Sequence, residues 1–247
     1  MLNQNVLARI HLEALLSNLE IMAKDDPQAA ALAKKWTGSI RFRTGLTGPR
    51  SSLQFKDGQI KLVPGEGGFS GIVLFFPFAK LLNNMFTKKG VGFPIPLRGF
   101  LRMPGLLAFT KLAKRMEEIL KGDAAPAALK AKLMLNTIAK TIAIIASYDE
   151  EGALLAKKAK GVAELRVKDG YAVHVDFAGG KAMARSGKAP HPDMIMEFAT
   201  NKLFLEVTED KVDVLAAVGL EEIRIIGNLG LADNVSIYLT KVGDYLA

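Results

Sequence analysis

Residues 155–165 read LAKKAKGVAEL, and residues 32–42 read LAKKWTGSIRF. Both open with Leu-Ala-Lys-Lys, and both place a glycine, Gly161 or Gly38, three residues after the second lysine. With the two glycines superimposed, much of the chain falls into register. Before Gly38, Leu7, Ile10, Leu15, Leu16, Leu19 and Met22 recur at helical spacing. Asp26 then stands where a cap belongs and Pro27 at a first helical position, before the short helix QAAALAKKW. Before Gly161 come LMLNTIAKTIAIIASY, an acidic break at Asp149, Glu150 and Glu151, and the short helix ALLAKKAK. The order of elements is the same.

Short strand patterns follow each glycine. In the first half these are SIRFRT, SSLQF and QIKLV, with Asp57-Gly58 as a hairpin turn. In the second half VAELRV and YAVHVDF flank Asp169-Gly170, and KAMARS follows Gly179-Gly180. GIVLFFPFAKLL (71–82) then matches DMIMEFATNKLF (193–204), an apolar strand running into a helix with Lys80 and Lys202 in register. The offset is 123 at Gly38/Gly161 and 122 at Lys80/Lys202, but 128 at Gly99/Gly227. The second half therefore carries extra residues, around DKVDVLAAVGLEE, which read as a helix of their own. A period of this size is a whole domain rather than a solenoid repeat. The expectation is a tandem duplication of one α+β domain, with copies at 1–123 and 124–247.

Composition agrees with a folded chain: 49% apolar and 23% charged over 247 residues. The absence of cysteine excludes a disulfide framework, a thiolate nucleophile and a cysteine-ligated metal. The N-terminus MLNQNVLARIHLEALL has no basic leader and no cleavage site, and the apolar runs are too short to span a bilayer, so a soluble cytoplasmic protein is expected. The net charge of +8 is uneven. Residues 1–123 hold 18 Lys and Arg against 9 Asp and Glu, a net +9; residues 124–247 hold 15 against 16, a net −1. Such asymmetry suits either a basic face for an acidic partner or a plain solvated surface.

Catalytic machinery is not legible. His11, His174 and His191 have no partners at metal-ligand spacing. GEGGFSG (65–71) lacks the Gly-Lys-Ser/Thr ending of a phosphate loop, and Gly227-x-x-Gly230 lacks the third glycine of a dinucleotide fingerprint. The paired carboxylates Asp25/Asp26 and Glu150/Glu151 read as helix caps and dipole partners. No catalytic residue, metal or cofactor is expected. Nucleic acid is disfavoured, because no recognition helix or RNA-binding signature accompanies the basic residues.

Pro192-Asp193-Met-Ile-Met-Glu-Phe198, a helix at Lys202–Leu215, and Ile225-Ile226-Gly227-Asn-Leu-Gly230-Leu231-Ala232 resemble the sterol carrier protein 2 (SCP2-like) family. The resemblance covers most of 125–247 and extends through the repeat to 1–123. The first half departs from it at Gly99–Gly105, where Pro94 and Pro96 also fall in the last strand and suit an edge. It implies an α+β fold, each domain a roughly five-stranded, mostly antiparallel sheet covered by helices around an apolar tunnel. It also implies binding or transfer of a fatty acid, sterol-like molecule or other lipid, without catalysis.

The apolar inventory fits such a ligand. Phe75, Phe76, Phe78, Met85, Phe86, Phe93, Phe100, Met103 and Phe109 crowd the first half, and Met194, Met196, Phe198 and Phe204 the second. The same residues also suit a packed core or a domain interface. Ligand-contact candidates are Phe76, Phe78, Leu82, Phe86 and Leu106, with Phe198, Phe204, Leu215, Leu231 and Val235 as counterparts. Residues 75–115 set apolar side chains beside Lys80, Lys88 and Lys89, a pattern for transient docking on an anionic membrane. A monomeric pseudo-dimer is expected. The alternative is an interaction scaffold, accessory to a lipid- or quinone-metabolising enzyme and holding no ligand itself.

Overall fold

A computed structural model describes residues 2–65, 71–99, 103–122 and 124–246. Most of the glycine-rich stretch 65–71 and Phe100 lie outside the described residues. The chain divides into two units, Met1–Gly122 and Asp123–Ala247.

In the first unit α1 (Gln4–Arg9) runs through a π-helical segment, Ile10–Leu15, into α2 (Asn18–Asp25), and α3 (Pro27–Ala33) follows. The strands are β1 (Gly38–Thr44), β2 (Arg50–Lys56), β3 (Gln59–Pro64), β4 (Ile72–Phe76) and β5 (Ile95–Arg98). Helix α4 (Ala79–Thr87) joins β4 to β5, and α5 (Met103–Lys121) closes the unit. The sheet order is β3-β2-β1-β4-β5. Only β1 and β4 run parallel; the other three pairings are antiparallel.

The second unit has α6 (Ala127–Tyr148), α7 (Glu150–Ala156), β6 (Gly161–Val167), β7 (Ala172–Ala178), β8 (Lys181–Ser186) and β9 (Met194–Phe198). It then has α8 (Asn201–Thr208), α9 (Val214–Gly219), β10 (Ile223–Gly227) and α10 (Leu229–Leu246). Its order, β8-β7-β6-β9-β10, repeats that of the first sheet, again with one parallel pairing, β6 with β9. Two-residue turns close the matching hairpins. Asp57-Gly58 joins β2 to β3 and Gly179-Gly180 joins β7 to β8, all four residues at positive φ. That is the backbone a tight hairpin of right-handed twist requires.

Each sheet buries one face. In the first, Ile40, Phe42, Leu53, Phe55, Ile72 and Phe76 alternate inward against helices that contribute Leu12, Leu16, Leu19 and Leu112. In the second, Leu165, Val175, Phe177 and Met194 meet Ile142, Ile145, Val235 and Tyr238. The period of two decides which side chains enter the core. Pro96 lies in β5, at the sheet edge, where a missing donor is tolerated.

Two expectations need correction. The continuous pattern from Leu7 to Met22 contains a π-helical turn, in which the Leu16 amide donates to the His11 carbonyl five residues back. His11, four residues after Leu7 and on the same helical face, lies in this turn and is 5% exposed. The helix expected over Lys202–Leu215 is two helices. Asp210 takes left-handed backbone (φ 58°), and Asp213 starts α9 afresh by accepting from the Leu215 and Ala216 amides.

Candidate functional site

The ten ligand-contact candidates fall into two groups. Phe76, Leu82, Phe198, Phe204, Leu231 and Val235 are buried in the cores of their units. Phe198 and Phe204 meet edge-to-face with ring centroids 5.1 Å apart. Phe86 and Leu106 are half-buried, whereas Phe78 is 70% exposed and Leu215 84% exposed. The structure thus joins a packed interior to an apolar exterior within each unit.

That exterior recurs at one place. In the first unit Ile95 and Leu97 are exposed on edge strand β5, Val91 and Phe93 just before it, Leu107 on α5 and Phe78 at the start of α4. In the second, Leu215, Leu220, Ile225, Ile226 and Leu229 are exposed on edge strand β10 and its flanks. Single exposed apolar residues need no explanation, but grouped ones mark contact sites. Basic groups accompany the first group. Lys80 is exposed, and Lys88 donates to Glu117 on α5 at 2.6 Å.

Of the acidic pairs, Asp26 caps α3 while Asp25 ends α2, and in the second unit the cap is Asp149, with Glu150 and Glu151 in the first turn of α7. Asp26 accepts from the Ala29 amide at the start of α3, and Asp149 from the Gly152 amide at the start of α7. Each also holds the last helix of its unit. Arg115 on α5 grips Asp26 with two bonds of 2.9 Å. Tyr245 on α10 donates to Asp149 at 2.8 Å, and Lys241 lies 3.6 Å away. The Arg115 guanidinium holds the Asp26 carboxyl below the usual carboxylate range. Asp149 is also lowered: burial opposes ionisation, but the Gly152 amide, Tyr245 and Lys241 together outweigh it.

The first unit has a buried polar cluster between the α1 helical run and α4. His11 Nδ1 lies 3.1 Å from Asn83 Oδ1, and Asn83 Nδ2 donates to the backbone and side-chain oxygens of Gln4, both at 3.0 Å. Phe86 stacks on the imidazole at 4.8 Å. Burial pushes His11 down to about 4, against the hydrogen bond its Nδ1 donates to the Asn83 side-chain oxygen. The imidazole is therefore neutral and serves packing rather than acid–base chemistry at neutral pH. His174 is bonded to the Gly187 carbonyl at 2.9 Å, and His191 is exposed in a loop. Among the described residues no group of three His, Cys, Asp or Glu is placed to hold a metal. No helix among them is long and apolar enough to cross a membrane.

A separate open cleft of about 720 Å³ lies in the second unit, between the end of α7 and the β7–β8 hairpin. None of the ten candidates lines it.

No family model and no curated protein matches the chain. Solved structures do. Among them are sterol carrier protein 2 domains. Domain 2 from Helicoverpa armigera is 18% identical, with 44% of this chain and 88% of that one covered and a TM-score of 0.37. The apo protein from Yarrowia lipolytica is 18% identical over 40% of this chain and 92% of its own, TM-score 0.33. A ubiquinone synthesis protein, UbiJ-SCP2, is 14% identical over 44% and 94%, TM-score 0.35. An inverting sec-alkylsulfatase, Pisa1 from Pseudomonas sp., also matches, at 12% identity over 57% of this chain and 28% of its own, TM-score 0.28. The α+β fold with two five-stranded sheets, expected from the sequence, is the one observed.

Proposed function

We propose that the protein binds a hydrophobic ligand, a fatty acid or sterol-like lipid, and performs no covalent chemistry on it. The observation that carries this reading is the recurrence of exposed apolar side chains on the same sheet edge in both units. In this reading 1–123 and 124–247 are two copies of one lipid-binding domain, working as a cytoplasmic monomer. The ligand passes from the exposed group at β5 or β10 towards the buried phenylalanines Phe76, Phe198 and Phe204. Burying about 300 Å² of lipid there would contribute about 7 kcal/mol before the costs of association. In the first copy, residues 75–115 with exposed Phe78, Phe93 and Lys80 also rest on an anionic bilayer while the ligand transfers.

Native mass spectrometry of the purified chain, followed by organic extraction and lipid analysis, tests this. One or two lipids per chain are expected. A clean apo mass, with no uptake from a panel of fluorescent fatty acids and sterols, refutes it. The same exposed edge strands, with apolar side chains around unpaired backbone, favour a protein partner as the second reading. That reading would survive a clean apo mass and requires a complex that mutations at Phe93 or Leu215 disrupt.

A further inference from the structure

The two units carry the same apolar edge with opposite charge. Each has a segment between the helix after its fourth strand and the glycine that closes its fifth. In the first unit, residues 88–99 hold Lys88, Lys89 and Arg98 and no acid, a net +3. The matching residues 209–227 hold Glu209, Asp210, Asp213, Glu221 and Glu222 against Lys211 and Arg224, a net −3. Both of those cations are turned to carboxylates, Lys211 to Glu209 at 2.6 Å and Arg224 towards Glu197 at 3.8 Å. Asp210, Asp213, Glu221 and Glu222 are exposed and form no ion pair among the described residues.

The backbone differs in the same sense. Strand β5 is four residues long, contains Pro96 and pairs with β4 through a register shift at Val73/Leu74, so it is a poor template for a further strand. Strand β10 has no proline and pairs with β9 in unbroken register. The Ala199 amide donates to the Glu222 carbonyl, and the Asn228 amide to the Asp193 carbonyl. Antiparallel alternation therefore turns residues 222, 224, 226 and 228 to β9 and leaves the N–H and C=O groups of Ile223, Ile225 and Gly227 at the outer edge. Among the described residues nothing bonds them there. Exposed Leu220, Ile225, Ile226 and Leu229 lie on and beside this edge.

We propose that the β10 edge is the docking site of a basic, apolar segment of a partner protein, which adds to the second sheet as a sixth strand. This deepens the protein-partner reading above and does not require lipid uptake. Main-chain bonds at Ile223, Ile225 and Gly227 hold the added strand, and side chains select it. The isoleucines and leucines take its apolar residues, and Asp210, Asp213, Glu221 and Glu222 take its lysines or arginines. The same carboxylates repel an anionic bilayer, which separates this edge from the basic one at β5.

The test titrates three capped hexapeptides into the full chain at low ionic strength, read by amide NMR and calorimetry. They are Lys-Val-Lys-Ile-Lys-Val, its counterpart with Glu for every Lys, and the Lys peptide N-methylated at its two central residues, which blocks both of its edges. The Lys peptide should give saturable shifts at residues 222–227 and none at Ile95–Arg98. The Glu peptide should bind at least about tenfold more weakly, the size of two exposed ion pairs. The N-methylated peptide should lose binding. Ile225→Pro removes one outward N–H and no bond to β9, and should abolish binding; Glu221→Lys with Glu222→Lys should weaken it about tenfold. If Ile225→Pro does not fold, the N-methylated peptide tests the same bonds from the other side. Equal binding of the Lys and Glu peptides, undiminished binding after N-methylation, or no saturable shift at millimolar peptide overturns the proposal. So do shifts at residues 222–227 caused by phosphatidylglycerol vesicles, which assign the edge to a membrane, or a peptide-free chain that sediments as a dimer, which assigns it to a second copy. A complex that Phe93 variants disrupt and Leu215 variants do not would overturn this site while keeping the protein-partner reading.

Discussion

Asp26 offers the sharpest stability experiment, because two of its roles separate by substitution. It caps α3 through the Ala29 amide and pairs with Arg115 from α5, at side-chain exposures of 5% and 11%. Asn caps a helix about as well as Asp does, so Asp26→Asn removes the charge and keeps the cap. It removes the bidentate counter-charge of Arg115 and leaves the more distant Glu118 carboxylate, 3.8 Å away, which costs up to about 3 kcal/mol. Asp26→Ala loses the cap as well, for about 1 kcal/mol more. Urea unfolding read by tryptophan emission isolates the effect, since Trp36 is the sole tryptophan and sits in the first unit. The pH dependence has a definite sign. The folded carboxyl lies below its unfolded value, so its contribution is present above about pH 4 and fades as pH falls through the lower folded value. Asn and Ala variants with equal midpoints would show that the cap contributes nothing. An Asn variant within about 0.5 kcal/mol of the natural chain would show that the buried pair does not stabilise the unit.

His11 gives the first unit a second pH dependence, at a higher range. Its folded value of about 4 lies below the unfolded value of about 6.5, so the unfolded chain takes up the proton first. Stability is complete above about pH 6.5 and declines as pH falls, by about 2 kcal/mol at pH 5. His11→Met, which installs the residue found at the matching position 134, should flatten that decline in the Trp36-monitored transition. The candidate ligand residues should divide by burial. Phe76→Ala should cost about 3–5 kcal/mol of stability, whereas Leu215→Ser should change stability by less than about 0.5 kcal/mol and still weaken lipid uptake by the second unit.

The repeat made the element order readable, because the strand patterns before the last recur 122 or 123 residues away and only the last is displaced, to 128. The partial alternation of SIRFRT corresponds to buried Ile40 and Phe42. The π-helical turn was not readable, since one inserted residue barely disturbs a helical pattern. The break between α8 and α9 was signalled by Asp210 and Asp213, but apolar residues on both sides hid it. The candidate site was half legible. Phenylalanine-rich composition marks apolar surface without saying which side chains face outward; Phe76 and Phe78 would share a face of one strand, and only the end of β4 at Phe76 separates the buried ring from exposed Phe78 at the start of α4. The grip of Arg115 on Asp26 spans 89 residues and leaves no local trace.

The uneven charge of the halves now has a structural address. The strands of the first sheet carry Arg41, Arg43, Arg50, Lys56, Lys61 and Arg98 and no Asp or Glu, a net +6. The strands of the second carry Arg166, Lys181, Arg185 and Arg224 against Glu164, Asp176 and Glu197, a net +1. Half of the difference between +9 and −1 therefore lies on the sheets. The six basic residues alternate with the buried ones, which puts them on the face away from the helices. Matched positions show how the second sheet avoids this accumulation. Arg166 there bonds Glu164 at 3.0 Å and Glu197 at 2.7 Å. The residues matching Arg166, Glu164 and Glu197 in the first sheet are Arg43, Arg41 and Phe75. An arginine and an aromatic ring thus replace two carboxylates, which changes a charge-balanced face into a basic and partly apolar one. Arg98 continues it on to β5, beside the exposed Ile95 and Phe93. A duplicated fold that needed only a filled core would gain nothing from such a face, because like charges on one surface repel. Its continuity with the apolar edge is what an anionic, partly apolar surface such as a bilayer would complement.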